Sequence, residues 1–384
     1  MLTPGFLKRL PDTPAYVFDV EQIRRNAQSV QALRAAGAKV LYSIKALPLG
    51  AVLRELLPRV DGFSVSSLFE ARLARQISAD CAVHLTSPGL KPQDLDELNR
   101  LCSHISFNSW GQFQRADELP EKNYSAGLRI NPDCSFSADP RYDPCRPHSK
   151  LGAPLAECLS PLPPVLEGLQ VHNVFSQTSL DALSATAAAL EPILQANPHL
   201  KWLNLGGGYL YPAIADLTRL LNLIRRLRGQ YGLEIYLEPG KALVGDAGYL
   251  VASVLDRFNS GGKTVIVLDT SVNHHPEVFE YQTSPPLIQA AAGGETALVA
   301  GGSCLAGDLF GEYGFNELPQ IGDRLCFYNC GAYSLIKANR FNGHALPSVY
   351  MYSANEDCLR LVWRDGFEGY YEQWGGQRLF KFKH

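Results

Sequence analysis

Lys45 ends the apolar run "KVLYSIK", and a lysine in that place loses hydration unless another group meets its amine. Arg129 lies in "SAGLRINP", His172 follows "LEGLQV", and Glu238 with Gly240 closes "EIYLEPG". Asn108 ends "HISFN", and Gly206, Gly207 and Gly208 follow "WLNL". A glycine turn after a strand offers backbone N–H groups to a phosphate, and Lys241 adds a cation that could share it. Taken singly, each has an ordinary reading: an ion-paired lysine, a satisfied core histidine, a tight turn. Together, an amine, an anion cradle, a carboxylate and a flat ring describe a pyridoxal phosphate site. Lys45 would attach to the cofactor aldehyde and Glu238 would hold the ring nitrogen protonated. His172 would lie against the ring face and Arg129 near the phenolic oxygen.

These residues need a scaffold that gathers strand ends. The runs "KVLYSIK", "GFSVSS", "AVHLTSP", "HISFN", "SAGLRINP", "LEGLQVHN", "WLNLGG" and "EIYLEPG" read as strands. Stretches such as "SSLFEARLARQI", "KPQDLDELNRLC" and "DLTRLLNLIRRLRGQYG" between them have apolar residues at helical spacing. Eight alternations over about 200 residues predict an α/β fold, a TIM-like (β/α)8 barrel whose chemistry sits at the carboxyl ends of its strands. After about Gly245 the pattern turns to strands with Gly-rich joins: "YLVASVLDRF", "KTVIVLDTS", "TALVAGGSC" and "DRLCFYNCGAYSL". "AYVFDV" near the N-terminus is a further strand outside the barrel. The expected division is a barrel over 22–245 and a mostly β domain built from 1–21 and 246–384.

Composition narrows the function classes. The formal net charge is −3 and the pI about 6.3, so no basic surface points to nucleic acid or anionic lipid. No apolar run has the length of a membrane helix, and "MLTPGFLKRLPDT" lacks a signal-peptide core. The 9 cysteines include no CxxC pair, which argues against a zinc site or disulfide framework and fits a cytoplasmic enzyme with reduced thiols.

The ordered series "YSIKA", "LRINPD", "SKLG", "VHN", "LGGG", "EPGK", "GGSCLAGD" and "GAYS" resembles the alanine racemase-fold (fold type III) decarboxylases that use pyridoxal phosphate. The resemblance runs through nearly the whole chain. The segments "FNSWGQF", "YDPCRPHSKLG", "KWLNLGGG", "LVASVLD", "CLAGDLFGEYGF" and "FNGHALP" are most similar to the carboxynorspermidine/carboxyspermidine decarboxylase branch. The resemblance implies a homodimer with shared sites, in which the segment around Cys304 and Asp308 completes the barrel site of a second copy. Cys304 would then protonate the decarboxylated carbon, and Tyr333 would reach the cofactor phosphate. Racemases of this fold carry an arginine where Glu238 stands, so a racemase is the weaker reading, as is a non-catalytic pyridoxal phosphate-binding protein.

Substrate choice departs from that branch. A polyamine tail needs carboxylates. The branch places them after the ring-stacking histidine, after "EPG" and after "DTS". This chain has Phe175-Ser176-Gln177, Lys241 and Val272-Asn273 there. Asp269, Asp308 and Glu312, with Asn273, are the remaining candidates for a substrate amine. The expected reaction is α-decarboxylation of a carboxynorspermidine-like precursor. A citryl-diamino acid, or another diamino acid, of siderophore-type biosynthesis is the alternative.

Overall fold

Strands buried on both faces should read as nearly unbroken apolar runs, and the eight such runs in the first two thirds of the chain form one closed sheet. The computed structural model describes residues 2, 4–117, 121–137 and 139–375. After β1 (Ala15–Asp19), the barrel strands are β2 (Ala38–Ser43), β3 (Gly62–Val65), β4 (Ala82–Ser87), β5 (His104–Phe107) and β6 (Ser125–Asn131). A two-residue edge, β7 (Ala153–Pro154), precedes β8 (Gly168–Val171), β9 (Trp202–Asn204) and β10 (Glu234–Leu237). All barrel pairings are parallel; β5 pairs with β6, and β10 returns to β2 through Ile235↔Ala38, closing the ring.

The connecting helices carry their own start and stop signals. In the helix Leu68–Ile77, Ser67 accepts from the Glu70 N–H, and the Glu70 carboxylate reaches back to the Ser66 N–H. The helix Thr218–Tyr231 ends on Gly232 at φ 71°, whose N–H returns to the Arg228 carbonyl.

The amino-terminal ends of the strands are plugged by rings. Trp202 lies where a Cβ on Gly127 or Gly168 would come within 2.2 or 2.0 Å of its indole, so glycine is required at both positions. Its Nε1 donates to Ser125 Oγ at 2.7 Å. The His84 and His104 rings stack at 3.8 Å, with Tyr236 4.3 Å from His84. With that end filled, the carboxyl ends are left to do chemistry.

The remaining strands form a second sheet: β11 (Gly248–Ser260), β12 (Lys263–Leu268), β13 (Glu295–Ala300), β14 (Leu309–Phe315), β15 (Arg324–Tyr328), β16 (Ser348–Ser353) and β17 (Cys358–Trp363). Their order is β14-β13-β12-β11-β1-β16-β17, with β15 also on β11. The N-terminal strand β1 therefore lies inside this sheet, antiparallel to β11 and parallel to β16. Leu2, Phe6, Leu7, Leu10, Val17, Tyr249, Val251 and Cys326 form part of its core. Two compact units result, Gln22–Val244 and Met1–Glu21 with Gly245–His384. Among the described residues, no helix is long and apolar enough to cross a membrane.

Candidate active site

Strand β2 stops at Ser43, whose N–H bonds to the Pro239 carbonyl at 3.0 Å, and the chain turns through a single 3₁₀ turn, Ile44–Ala46. The sequence reading ran this strand on to Lys45; the lysine instead occupies the turn, between the buried Ile44 and Ala46. Its own surface remains open, yet the surrounding protein is dense enough that burial is the main influence on the amine and lowers its pKa. Arg129 pushes the same way, while Glu238 and Glu70 oppose. An accessible amine that loses its proton more readily than a surface lysine is a competent nucleophile.

His172 follows β8, and its Nδ1 accepts the Gly207 N–H at 3.1 Å. That bond puts the ring proton on Nε2. Burial, then Lys45 and Arg129, hold the imidazole well below its ordinary pKa, so the ring is neutral at physiological pH. Arg129 is buried on β6 and donates from Nη2 to the His172 carbonyl at 3.3 Å. Burial lowers it to about 10, opposed by Glu238, which still leaves it a cation at neutral pH.

The glycine run allows no side chain. A Cβ on Gly206, Gly207 or Gly208 would stand 2.4 Å from the Val171 carbonyl oxygen, 2.2 Å from that of Glu238 or 2.3 Å from that of Val174. Gly206 and Gly208 also have φ of 68° and 95°. The Gly206 N–H is taken by Asn204 Oδ1 (2.8 Å) and the Gly207 N–H by His172, so the first two amides serve the protein itself. This narrows the sequence reading of the whole run as an anion cradle. Glu238 is buried and accepts from Asn204 Nδ2 at 2.7 Å, and its N–H bonds to the Gly206 carbonyl. Gly240 packs on the lysine turn, where a Cβ would meet Ala46 at 3.0 Å and Ser43 at 3.2 Å. Lys241 opens the short helix Lys241–Val244 and is half-buried. Asn108 is a clamp: it donates to the Lys150 carbonyl and accepts from Gly152 N–H, holding "SKLG".

The β unit contributes a separate cluster. Cys304 is exposed, and its N–H bonds to Asn342 Oδ1 at 2.8 Å, Asn342 itself having φ 55°. Asp308 is buried and accepts from the Val272 N–H, the Ser303 N–H and Ser303 Oγ, bracing the turn that presents the thiol. Asp269 accepts from the Ser253 N–H and Thr13 Oγ1, and Glu312 pairs with Lys263 at 2.6 Å. All three carboxylates suggested for a substrate amine thus have partners within their own unit. Asn273 donates to Ser271 Oγ and takes the Asn339 N–H on its carbonyl. Tyr333 has φ 60°, a conformation rare for an aromatic residue, with the Lys337 amine 5.4 Å from its ring centroid. Sequence reasoning passed over Asn204, Glu70 and Asn342. The asparagine two residues before a glycine run was the available signal for the first.

An accessible amine, a neutral imidazole with a set tautomer, a buried carboxylate and a glycine turn too tight for any Cβ fit pyridoxal phosphate. The chain matches the family described as pyridoxal-dependent decarboxylase, C-terminal sheet domain, over residues 15–331. It belongs to the pyridoxal phosphate-dependent decarboxylases of the alanine racemase fold. It is 32% identical over 362 residues to a Herminiimonas arsenicoxydans protein named carboxynorspermidine/carboxyspermidine decarboxylase, covering 93% of this chain and 98% of that one. It is 34% identical over 384 residues to carboxyaminopropylagmatine decarboxylase of Synechocystis, covering 96% and 97%. The crystal structure of Campylobacter jejuni carboxynorspermidine decarboxylase complexed with norspermidine superposes with a TM-score of 0.85 at 28% identity, over 94% of this chain and 100% of that one.

Proposed function

We propose that this decarboxylase removes the α-carboxylate of a carboxylated polyamine precursor of the carboxynorspermidine and carboxyspermidine kind. The observation that carries the proposal is the 32% and 34% identity, over nearly the whole chain, to relatives named for carboxynorspermidine, carboxyspermidine and carboxyaminopropylagmatine. Pyridoxal phosphate, when bound, supplies an electron sink for the pair left behind as carbon dioxide departs. Lys45 is the amine that attaches the cofactor, and Glu238 is the carboxylate for the ring nitrogen. The neutral His172 ring would lie against the bound cofactor's face, and Arg129 would serve its phenolic oxygen. With Gly206 and Gly207 N–H groups already engaged, the phosphate would fall to Gly208, Gly240 and Lys241; a role for Tyr333 there rests on the family resemblance alone. Cys304 is the proton donor to the product carbon.

The proposal includes a homodimer with shared sites. In support, Cys304 stands among apolar side chains left exposed: Leu305, Leu309, Phe279 and Phe341. One observation favours the citryl-diamino acid reading. Three residues after the ring histidine stands Phe175, stacked on Tyr142 at 5.0 Å, and Asp269, Asp308 and Glu312 are each already paired. The deciding experiment counts carbon dioxide released from carboxynorspermidine, carboxyspermidine, carboxyaminopropylagmatine, diaminopimelate, ornithine, lysine and citryl-diamino acids. The highest kcat/KM should fall on a carboxylated polyamine. A preference for a citryl-diamino acid or a simple diamino acid overturns the proposal.

A further inference from the structure

Asn204 ends β9, is wholly buried, and lies two residues ahead of the glycine run. Its side-chain amide makes two bonds of opposite sense. Oδ1 accepts the Gly206 N–H at 2.8 Å, and Nδ2 donates to Glu238 Oε1 at 2.7 Å. The backbone N–H can only donate, so the oxygen of the amide must face Gly206 and the nitrogen must face the carboxylate. The Glu238 N–H closes the loop by donating to the Gly206 carbonyl at 2.7 Å.

We infer that Asn204 is a positioning residue that pins the Glu238 carboxylate in the orientation the cofactor ring requires and couples it to the glycine turn. The inference rests on the reading of Glu238 as the partner of the ring nitrogen. A buried carboxylate with no donor on one oxygen can swing toward other charge, and here Lys45 and Arg129 are both close enough to influence it. The Asn204 donor opposes that swing. An aspartate of the same shape would still accept from Gly206, but would face Glu238 as a second acceptor unless it carried a proton.

That difference separates the two bonds experimentally. Asn204→Asp keeps the turn and loses the donor whenever the new carboxyl is ionised. Asn204→Ala loses both bonds. In Asn204→Asp, cofactor affinity measured by fluorescence titration should stay within about 3-fold of the parent. The visible spectrum of the bound cofactor should gain a titration between pH 6 and 9 that the parent lacks, and kcat should fall on its alkaline side by about 10- to 100-fold, with KM little changed, recovering at lower pH. In Asn204→Ala the loss of kcat should persist at every pH and be joined by weaker cofactor retention. A parental spectrum and parental kcat across the range in Asn204→Asp overturn the inference, whether or not the alanine variant folds. Glu238→Gln is the control. If it too leaves the spectrum unchanged, the fault lies in the role given to Glu238; if it alters the spectrum while Asn204→Asp does not, the fault lies in Asn204.

Discussion

At the scale of single residues, charge is set by enclosure more than by pairing. Burial is the first influence on Lys45, His172 and Arg129 alike, and it favours the uncharged form of each. The arginine, lowered to about 10, stays charged at neutral pH. Lys241 is the residue whose role divides the possible substrates. It follows the turn that packs on the lysine turn, and the proposal gives it to the cofactor phosphate. Lys241→Glu should therefore weaken pyridoxal phosphate affinity by about 10-fold or more, equally for every substrate, because an attractive charge becomes a repulsive one. Unchanged affinity with impaired use of acidic substrates alone would move Lys241 to a substrate carboxylate.

At the scale of elements, the barrel was readable because its strands are buried on both faces and stand as short apolar runs between helices of regular period. The candidate site residues were picked out on the same pattern, since the chemistry-bearing types recur where those runs stop. Strand β14 was not readable: Gly311, at φ 145°, and Gly314 interrupt it, and the glycine-rich segment looks like a loop. Strand β17 leaves most of its residues exposed, Leu361 and Trp363 among them, so its apolar types do not mark a buried face. Asn204 was hidden because its partner Glu238 is 34 residues away and only β9–β10 pairing brings the two together. The plugged end of the barrel makes its own prediction. Burial holds His104 down to about 4 against an ordinary value of 6.5, and burial also holds its stacked neighbour His84 well below that value. Between those values the unfolded chain binds the proton that folded His104 refuses, so stability is full above pH 6.5 and is lost as pH falls toward 4. The His104 share of that loss is about 3 kcal/mol. Urea unfolding at pH 7, 6, 5 and 4 should show the decline, and His104→Phe should flatten it. An equal decline in that variant would place the acid sensitivity elsewhere.

At the scale of the whole molecule, the chain uses its first strand to build its last domain: β1 is central in the sheet formed by residues beyond Gly245. Cys304 is displayed on that sheet's unit by Asn342 and the Asp308 brace, outward and among exposed apolar groups, which suits a thiol meant for another copy of the chain. Mixing inactive Lys45→Ala with inactive Cys304→Ala should then restore part of the activity, because one site of a mixed dimer carries neither change. No recovery after demonstrated subunit exchange would refute shared sites.

The whole account depends on one amine. Purified protein loaded with pyridoxal phosphate, reduced with borohydride and digested should carry the cofactor tag on the peptide containing Lys45, and Lys45→Ala should carry none. A tag on any other lysine, or an undiminished tag in the variant, would contradict it.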